Sequence, residues 1–143
     1  MKQIADLHIH SRFSMATSRD GTVEMLDLWA RKKGITLIGT GDMTHPVWRQ
    51  ELKEKLIPAE QGLFRLKEEY ILPEAARYPG KAPSFVLSGE ISSIYKKGGK
   101  TRKVHSLNPA FRDSMRQMLL PQGWKMIGNI HSDGRPNPWP ALS

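Results

Sequence analysis

Apolar and polar positions along this chain follow two periods, and each period predicts a different element. A short apolar run ends at His10-Ser11 and reads as a strand. Residues 12–19 are polar and small, hence a loop, and Asp20-Gly21-Thr22 reads as a turn opening a helix. From Val23 to Lys33 the apolar residues Met25, Leu26, Trp29 and Ala30 recur at helical spacing and predict a core-facing stripe, with Gly34 where a C-terminal cap belongs. Ile35 to Gly39 reads as a buried strand, so the first third of the chain forms a strand-helix-strand unit with parallel strands. His45-Pro46 opens a second helix over Val47 to Ile57.

The pattern then weakens. Residues 58–83 carry prolines at 58, 73, 79 and 83, much charge and a helical stretch around Leu63 to Tyr70, and read as a connecting excursion with Arg65, Lys67 and Arg77 on solvated faces. Ser84 to Ile91 is an apolar strand. Ile91 to Leu107 predicts a β-hairpin turning at Gly98-Gly99, where two glycines supply the backbone freedom of a tight turn. The fold class is α/β.

Composition narrows the class. A chain of 143 residues is one domain's worth of core. With no cysteine, disulfides and thiolate metal sites are excluded, and any transition metal must be held by His, Asp and Glu. No basic-then-apolar leader and no apolar run near eighteen residues is present, so the expectation is a cytoplasmic protein without a membrane partner. A net charge of +8 and a pI near 9.9 favour an anionic partner such as nucleic acid.

Candidate chemistry gathers at the strand ends, where ligands collect in parallel α/β units. His8 and His10 are two apart in a strand and aim both imidazoles at one spot, which suits a metal ion; two half-exposed strand histidines are the plain alternative. Asp42 follows Gly41 at the end of the second strand, as a metal ligand, as a carboxylate orienting a ligating histidine, or as a turn cap. His45 lines the same region or merely caps its helix. Glu90 closes an apolar strand, where a carboxylate is costly unless it is bound to a cation or to a lysine. His105 returns beside it on the hairpin. Lys96, Lys97, Lys100, Arg102 and Lys103 make the hairpin tip basic, either a solvated turn or a contact to a phosphate backbone.

Asp-Leu-His8-Ile-His10-Ser-Arg-Phe-Ser, Gly-Thr-Gly-Asp42, Ser-Gly-Glu90-Ile and Lys-Val-His105, in that order, resemble the polymerase-and-histidinol-phosphatase (PHP) superfamily of metal-dependent phosphoesterases. Ala-Thr-Ser at 16–18, Gly-Thr-Gly-Asp at 39–42 and Gly-Asn-Ile-His-Ser-Asp-Gly-Arg-Pro at 128–136 look like its endonuclease Q branch. The resemblance implies a distorted (β/α)7 barrel, of which this chain is the N-terminal half with a β-hairpin. It also implies divalent cations, zinc or manganese and up to three in a complete member, and hydrolysis of DNA beside deaminated or abasic sites. His8, His10, Glu90 and His105 then become metal ligands, with Glu90 bridging, and Asp42 an acidic catalytic residue. Asp20, His131 and Asp133 join His45 as residues lining the site.

The resemblance covers residues 4–107 and 127–136, and residues 108–143 otherwise diverge. The late His and Asp-x-His that complete the superfamily's site have no counterpart in the 143 residues, so the whole chain, 1–143, reads as a single incomplete PHP-like domain. Three readings compete. The chain is a metal-dependent phosphodiesterase or endonuclease on DNA, an inactive truncated remnant that binds metal or nucleic acid, or a phosphatase of a small phosphate ester. An incomplete barrel also exposes a strand edge through which copies would self-associate.

Overall fold

A computed structural model describes residues 2–14, 19–60 and 62–110; positions 16–18, His131, Asp133 and the rest of 111–143 lie outside it. Its centre is a mixed sheet. Strand β1 (Ala5–Asp6) pairs in parallel with β2 (Leu37–Gly39), and β2 pairs in parallel with β5 (Ser84–Lys97). The connection from β1 to β2 runs through helix α1 (Val23–Lys33), giving the expected strand-helix-strand unit. Helix α2 (Pro46–Lys55) leads into two short strands, β3 (Leu56–Pro58) and β4 (Phe64–Leu66), which add antiparallel to the other side of β5.

Those two strands correct the reading of the 58–83 region. The helical stretch expected over Leu63 to Tyr70 is instead strand β4 followed by a 3-10 turn at Glu68–Tyr70, with a second such turn at Pro73–Arg77. Phe64 and Leu66 alternate with exposed Arg65, and both bury into the core. Three residues are too few for period two to stand out from a helical pattern in sequence.

Helix α1 forms where expected because its ends are well made. The Thr22 hydroxyl accepts from the Met25 amide, and Gly34 closes the helix at φ 72° with its N–H on the last carbonyls. Its buried face is rotated from the expected stripe, however. Val23, Asp27, Leu28 and Ala30 are buried, Met25 and Leu26 are half-buried, and Trp29 is 48% exposed. Two pairings account for the rotation. Arg31 Nε lies 2.8 Å from the Asp27 carboxylate, which offsets its desolvation, and the ammoniums of Lys32 and Lys33 sit over the Trp29 ring at 4.9 and 5.7 Å. Burial nonetheless holds the Asp27 carboxyl above its usual range, with Arg31 pulling the other way.

The core lies on one face of the sheet. Ile38, Phe64, Phe85 and Leu87 pack there with Val23 and Ala30 of α1 and Trp48 and Leu52 of α2. Lys55 braces the two helices, with Nζ 2.6 Å from Glu24 and 2.7 Å from Glu51, and Arg12 reaches Glu51 at 2.8 Å. Strand β5 then leaves the mixed sheet and continues as a hairpin with β6 (Lys100–Ala110), turning at Gly98-Gly99 as expected. Glu90 is therefore not at a strand end but midway along one 14-residue strand, just past its last pairing with β2 at Val86.

Two glycines let the N-terminal segment cross the end of β2. A Cβ on Gly39 would meet Ser88 Oγ at 2.6 Å and the Leu7 carbonyl at 2.7 Å; one on Gly41 would stand 2.0 Å from the Ile9 carbonyl, at φ 62°. Gly98, at a similar φ of 59°, has open space around it. Gly41→Ala is expected to cost about 2–4 kcal/mol, from left-handed strain plus overlap, whereas Gly98→Ala costs only about 1 kcal/mol. Urea midpoints of the two variants measure the difference, and equal losses would contradict the close crossing.

Candidate metal centre

Beyond β1 the chain leaves the strand, so His8 and His10 project from the segment that crosses Gly39 and Gly41 rather than from a strand proper. The two-residue spacing still puts both rings on one side, with centroids 5.2 Å apart. His8 Nε2 lies 3.5 Å and His10 Nε2 3.3 Å from Glu90 Oε2. One ligand atom from each of His8, His10 and Glu90 falls within 4.8 Å of the others. The three residues grade from solvent inward, their side chains 57%, 26% and 6% exposed respectively.

Whether these residues fit a cation is decided at Glu90 Oε2. That oxygen is buried and has no hydrogen-bond partner among the described residues. A buried carboxylate oxygen facing two imidazole nitrogens without a hydrogen bond is costly as it stands, and a divalent cation between the three atoms would remove the cost. Neutral imidazole nitrogens and a carboxylate oxygen are also a donor set that zinc and manganese accept. The residues fit.

The other oxygen of Glu90 is held differently. His105 Nδ1 is hydrogen-bonded to Oε1, so His105 reaches the site through the carboxylate and is not one of the three clustered ligand atoms. The register explains how: Glu90 opposes Leu107 and Ser92 opposes His105, which places Glu90 and His105 diagonally on one face of the ribbon. Burial would raise the Glu90 carboxyl, but the hydrogen bond and charge of His105, backed by His8 and His10, outweigh it and hold the group below its usual range.

Asp42 sits behind His10. It is fully buried at φ 47°, and its carboxylate accepts from the Ser11 amide at 2.7 Å, the Ser11 hydroxyl at 2.6 Å and the Ser14 hydroxyl at 2.8 Å. His10 Nδ1 lies 3.6 Å from Asp42 Oδ1 and 3.3 Å from Ser14 Oγ. Ser14 gives its one proton to Asp42 and can accept from His10 Nδ1–H, a pairing that leaves the His10 Nε2 lone pair facing Glu90. Asp42 is thus linked to the His10 ring through Ser14.

His45 is the N-cap of α2: its Nδ1 accepts from the Trp48 amide, and its ring stacks on Phe13 at 4.4 Å. Asp20 is exposed and is not among the clustered ligands. Lys96, Lys97, Lys100, Arg102 and Lys103 are all exposed along the hairpin. Sequence reasoning missed Ser11, Ser14 and Ser92. The first two sit in the Ser-Arg-Phe-Ser segment after the histidines, but a serine pair carries no signal until its carboxylate partner 31 and 28 residues away is known. Ser92 Oγ is buried and unpartnered among the described residues, on the face that carries Glu90.

No protein-family model matches the chain. A 49-residue stretch, 34% of the chain, is 53% identical to 6% of the uncharacterized protein MJ0043 of Methanocaldococcus jannaschii. Two crystal structures share the fold. Endonuclease Q in complex with a 27-mer duplex substrate bearing an abasic lesion at the active site aligns at TM-score 0.67 and 31% identity. The lesion-specific endonuclease PfuEndoQ from Pyrococcus furiosus aligns at 0.67 and 30%. Each covers 93% of this chain, and this chain spans 28% of each of them. These likenesses support the relation to endonuclease Q that the motifs suggested.

The depressed Glu90 carboxyl makes a pH prediction. Its folded value lies below its unfolded one, so its contribution to stability is complete above the ordinary glutamate pKa of about 4.3 and is lost as pH falls through the folded value. Urea midpoints between about pH 5 and 3 should therefore fall more steeply for the parent chain than for Glu90→Gln. Parallel curves would mean that the His105 pairing does not hold the carboxylate.

Proposed function

We propose that this chain carries part of the catalytic centre of a PHP-type, metal-dependent endonuclease acting on DNA with abasic or deaminated sites. The single observation that carries the reading is the buried Glu90 Oε2, which has no hydrogen bond among the described residues and faces the Nε2 atoms of His8 and His10 at 3.5 and 3.3 Å. The fold shared with endonuclease Q, one of whose structures holds an abasic duplex, supports the substrate class.

In this reading His8, His10 and Glu90 would hold one divalent cation, zinc or manganese, and His105, hydrogen-bonded to Glu90, would belong to the surroundings of a cluster of up to three. Such cations supply a water acidic enough to attack phosphorus at neutral pH and take up charge on the leaving oxygen. The chain's own residues do the rest. Asp42, through Ser14, keeps the His10 ring turned so that Nε2 and not Nδ1 meets the cation. The His105 hydrogen bond keeps Glu90 ionised and limits its rotation. The exposed lysines and arginine of the hairpin lie on the same β5 strand as Glu90 or on its partner β6, and attract the phosphate backbone. The described sheet would be the first part of a larger barrel.

Two measurements test this. With Mn2+ or Zn2+ added, the melting temperature of the parent chain should rise, and the rise should vanish in His8→Ala/His10→Ala and in Glu90→Ala; Asp42→Asn should weaken metal affinity by about 10–100-fold while the chain still folds. Equal shifts in all proteins would sink the metal centre. In the second, a duplex with one abasic or uracil site should be nicked with metal and not with EDTA. Turnover of p-nitrophenyl phosphate without nicking would move the substrate to a small ester, and metal binding with neither activity would mark an inactive remnant.

A further inference from the structure

The five basic residues of the hairpin look like one patch in sequence, but the ribbon divides them. Cross-strand partners share a face, as do residues two apart. Ser92 pairs with His105, Ile94 with Lys103 and Lys96 with Thr101, which puts these positions on the face that carries Glu90. Tyr95 with Arg102 and Lys97 with Lys100 fall between them, on the opposite face. Lys103 and Lys96 therefore share the side of the metal centre, and Lys97, Lys100 and Arg102 do not.

Distance separates the two that remain. Measured along the ribbon from Glu90, Lys103 stands level with Ile94, four residues or about 13 Å away, whereas Lys96 is six residues or about 20 Å away. Two-stranded ribbons twist strongly, so the outer position is carried progressively off the line of the site. Lys103 is the hairpin cation placed to reach it. Between Lys103 and Glu90 lies Ser92, only 7% exposed, whose Oγ has no hydrogen-bond partner among the described residues. A buried hydroxyl left without a partner costs about 1–3 kcal/mol, and a ligand oxygen would remove that cost.

We propose that Ser92 and Lys103 form a phosphate subsite next to the metal centre, taking a backbone phosphate of the bound strand adjacent to the one at the cations. The Ser92 hydroxyl donates to a phosphate oxygen, and the Lys103 ammonium supplies the opposing charge. Arg102, one residue away in sequence, faces elsewhere and contributes only general attraction. The inference rests on the nucleic-acid reading above and deepens it. It also fixes which side of the ribbon the strand runs along.

The test uses the full chain, an abasic-site duplex with a fluorescent label, and Mn2+ present throughout. Lys103→Ala should weaken binding about fivefold or more and lower the slope of log affinity against log salt by about one, and Arg102→Ala, which loses only general attraction, should weaken it about twofold. Both residues are exposed, so both variants should fold as the parent does. Ser92→Ala should lower DNA affinity yet leave the Mn2+-induced melting shift unchanged, which a purely structural serine would not do. Equal losses in Lys103→Ala and Arg102→Ala, with normal binding by the parent, would overturn the subsite alone. Absence of DNA binding by the parent would overturn the nucleic-acid reading and the subsite with it.

Discussion

The buried carboxylate of Asp42 is the interaction on which the arrangement of the site depends. An ionised group taken out of water costs several kcal/mol unless donors replace its hydration. Here the donors are the Ser11 amide and hydroxyl and the Ser14 hydroxyl, all from the loop that follows the two histidines. Satisfying the charge therefore requires that loop to be drawn over the end of β2. Once it is there, His10 has little freedom, because Ser14 and Asp42 flank its Nδ1. The same turn is tied to β5 by Gly41 N donating to Ser88 Oγ at 2.9 Å, two residues before Glu90.

Strand β5 joins stability to chemistry through its alternation. Phe85 and Leu87 point into the core against both helices, while Ser88, Glu90 and Ser92 occupy the other face. A one-residue slip in register would bury the carboxylate among apolar side chains and expose two core residues, so the core fixes where Glu90 stands. Its pairing with β6 then determines that His105 arrives diagonally beside it.

Much of this was legible in the residues themselves, and the exceptions have a common cause. Thr22, Gly34, Pro46 and Gly98-Gly99 act locally, and each helix end or turn they mark stands where expected, although α2 stops at Lys55 and the Leu56 and Ile57 expected in it belong to β3. His8, His10 and Glu90 could be found because a two-residue spacing and a carboxylate in an apolar strand are local signals as well. What escaped depended on partners distant in sequence. Trp29 stands exposed because Arg31 lets Asp27 take the buried position and two lysines cover the ring. Strand β4 is held by pairing with β3 and β5, which a three-residue segment does not announce. Ser11 and Ser14 acquire a purpose only from Asp42.

The glycine crossing at β2 has a consequence for the order in which the molecule assembles. His8 and His10 reach their place only after β1 has paired with β2, a contact spanning 32 residues, and Glu90 only after β5 has joined, with Gly41 and Ser88 47 residues apart. Parallel pairings of this separation are slow to form, since chain entropy is lost before any contact offsets it. On the metal-binding reading proposed above, His8, His10 and Glu90 would therefore come together for a cation only once β5 has joined, and metal would not template the early chain. In a refolding experiment metal uptake would serve instead as a clock that marks completion of the sheet.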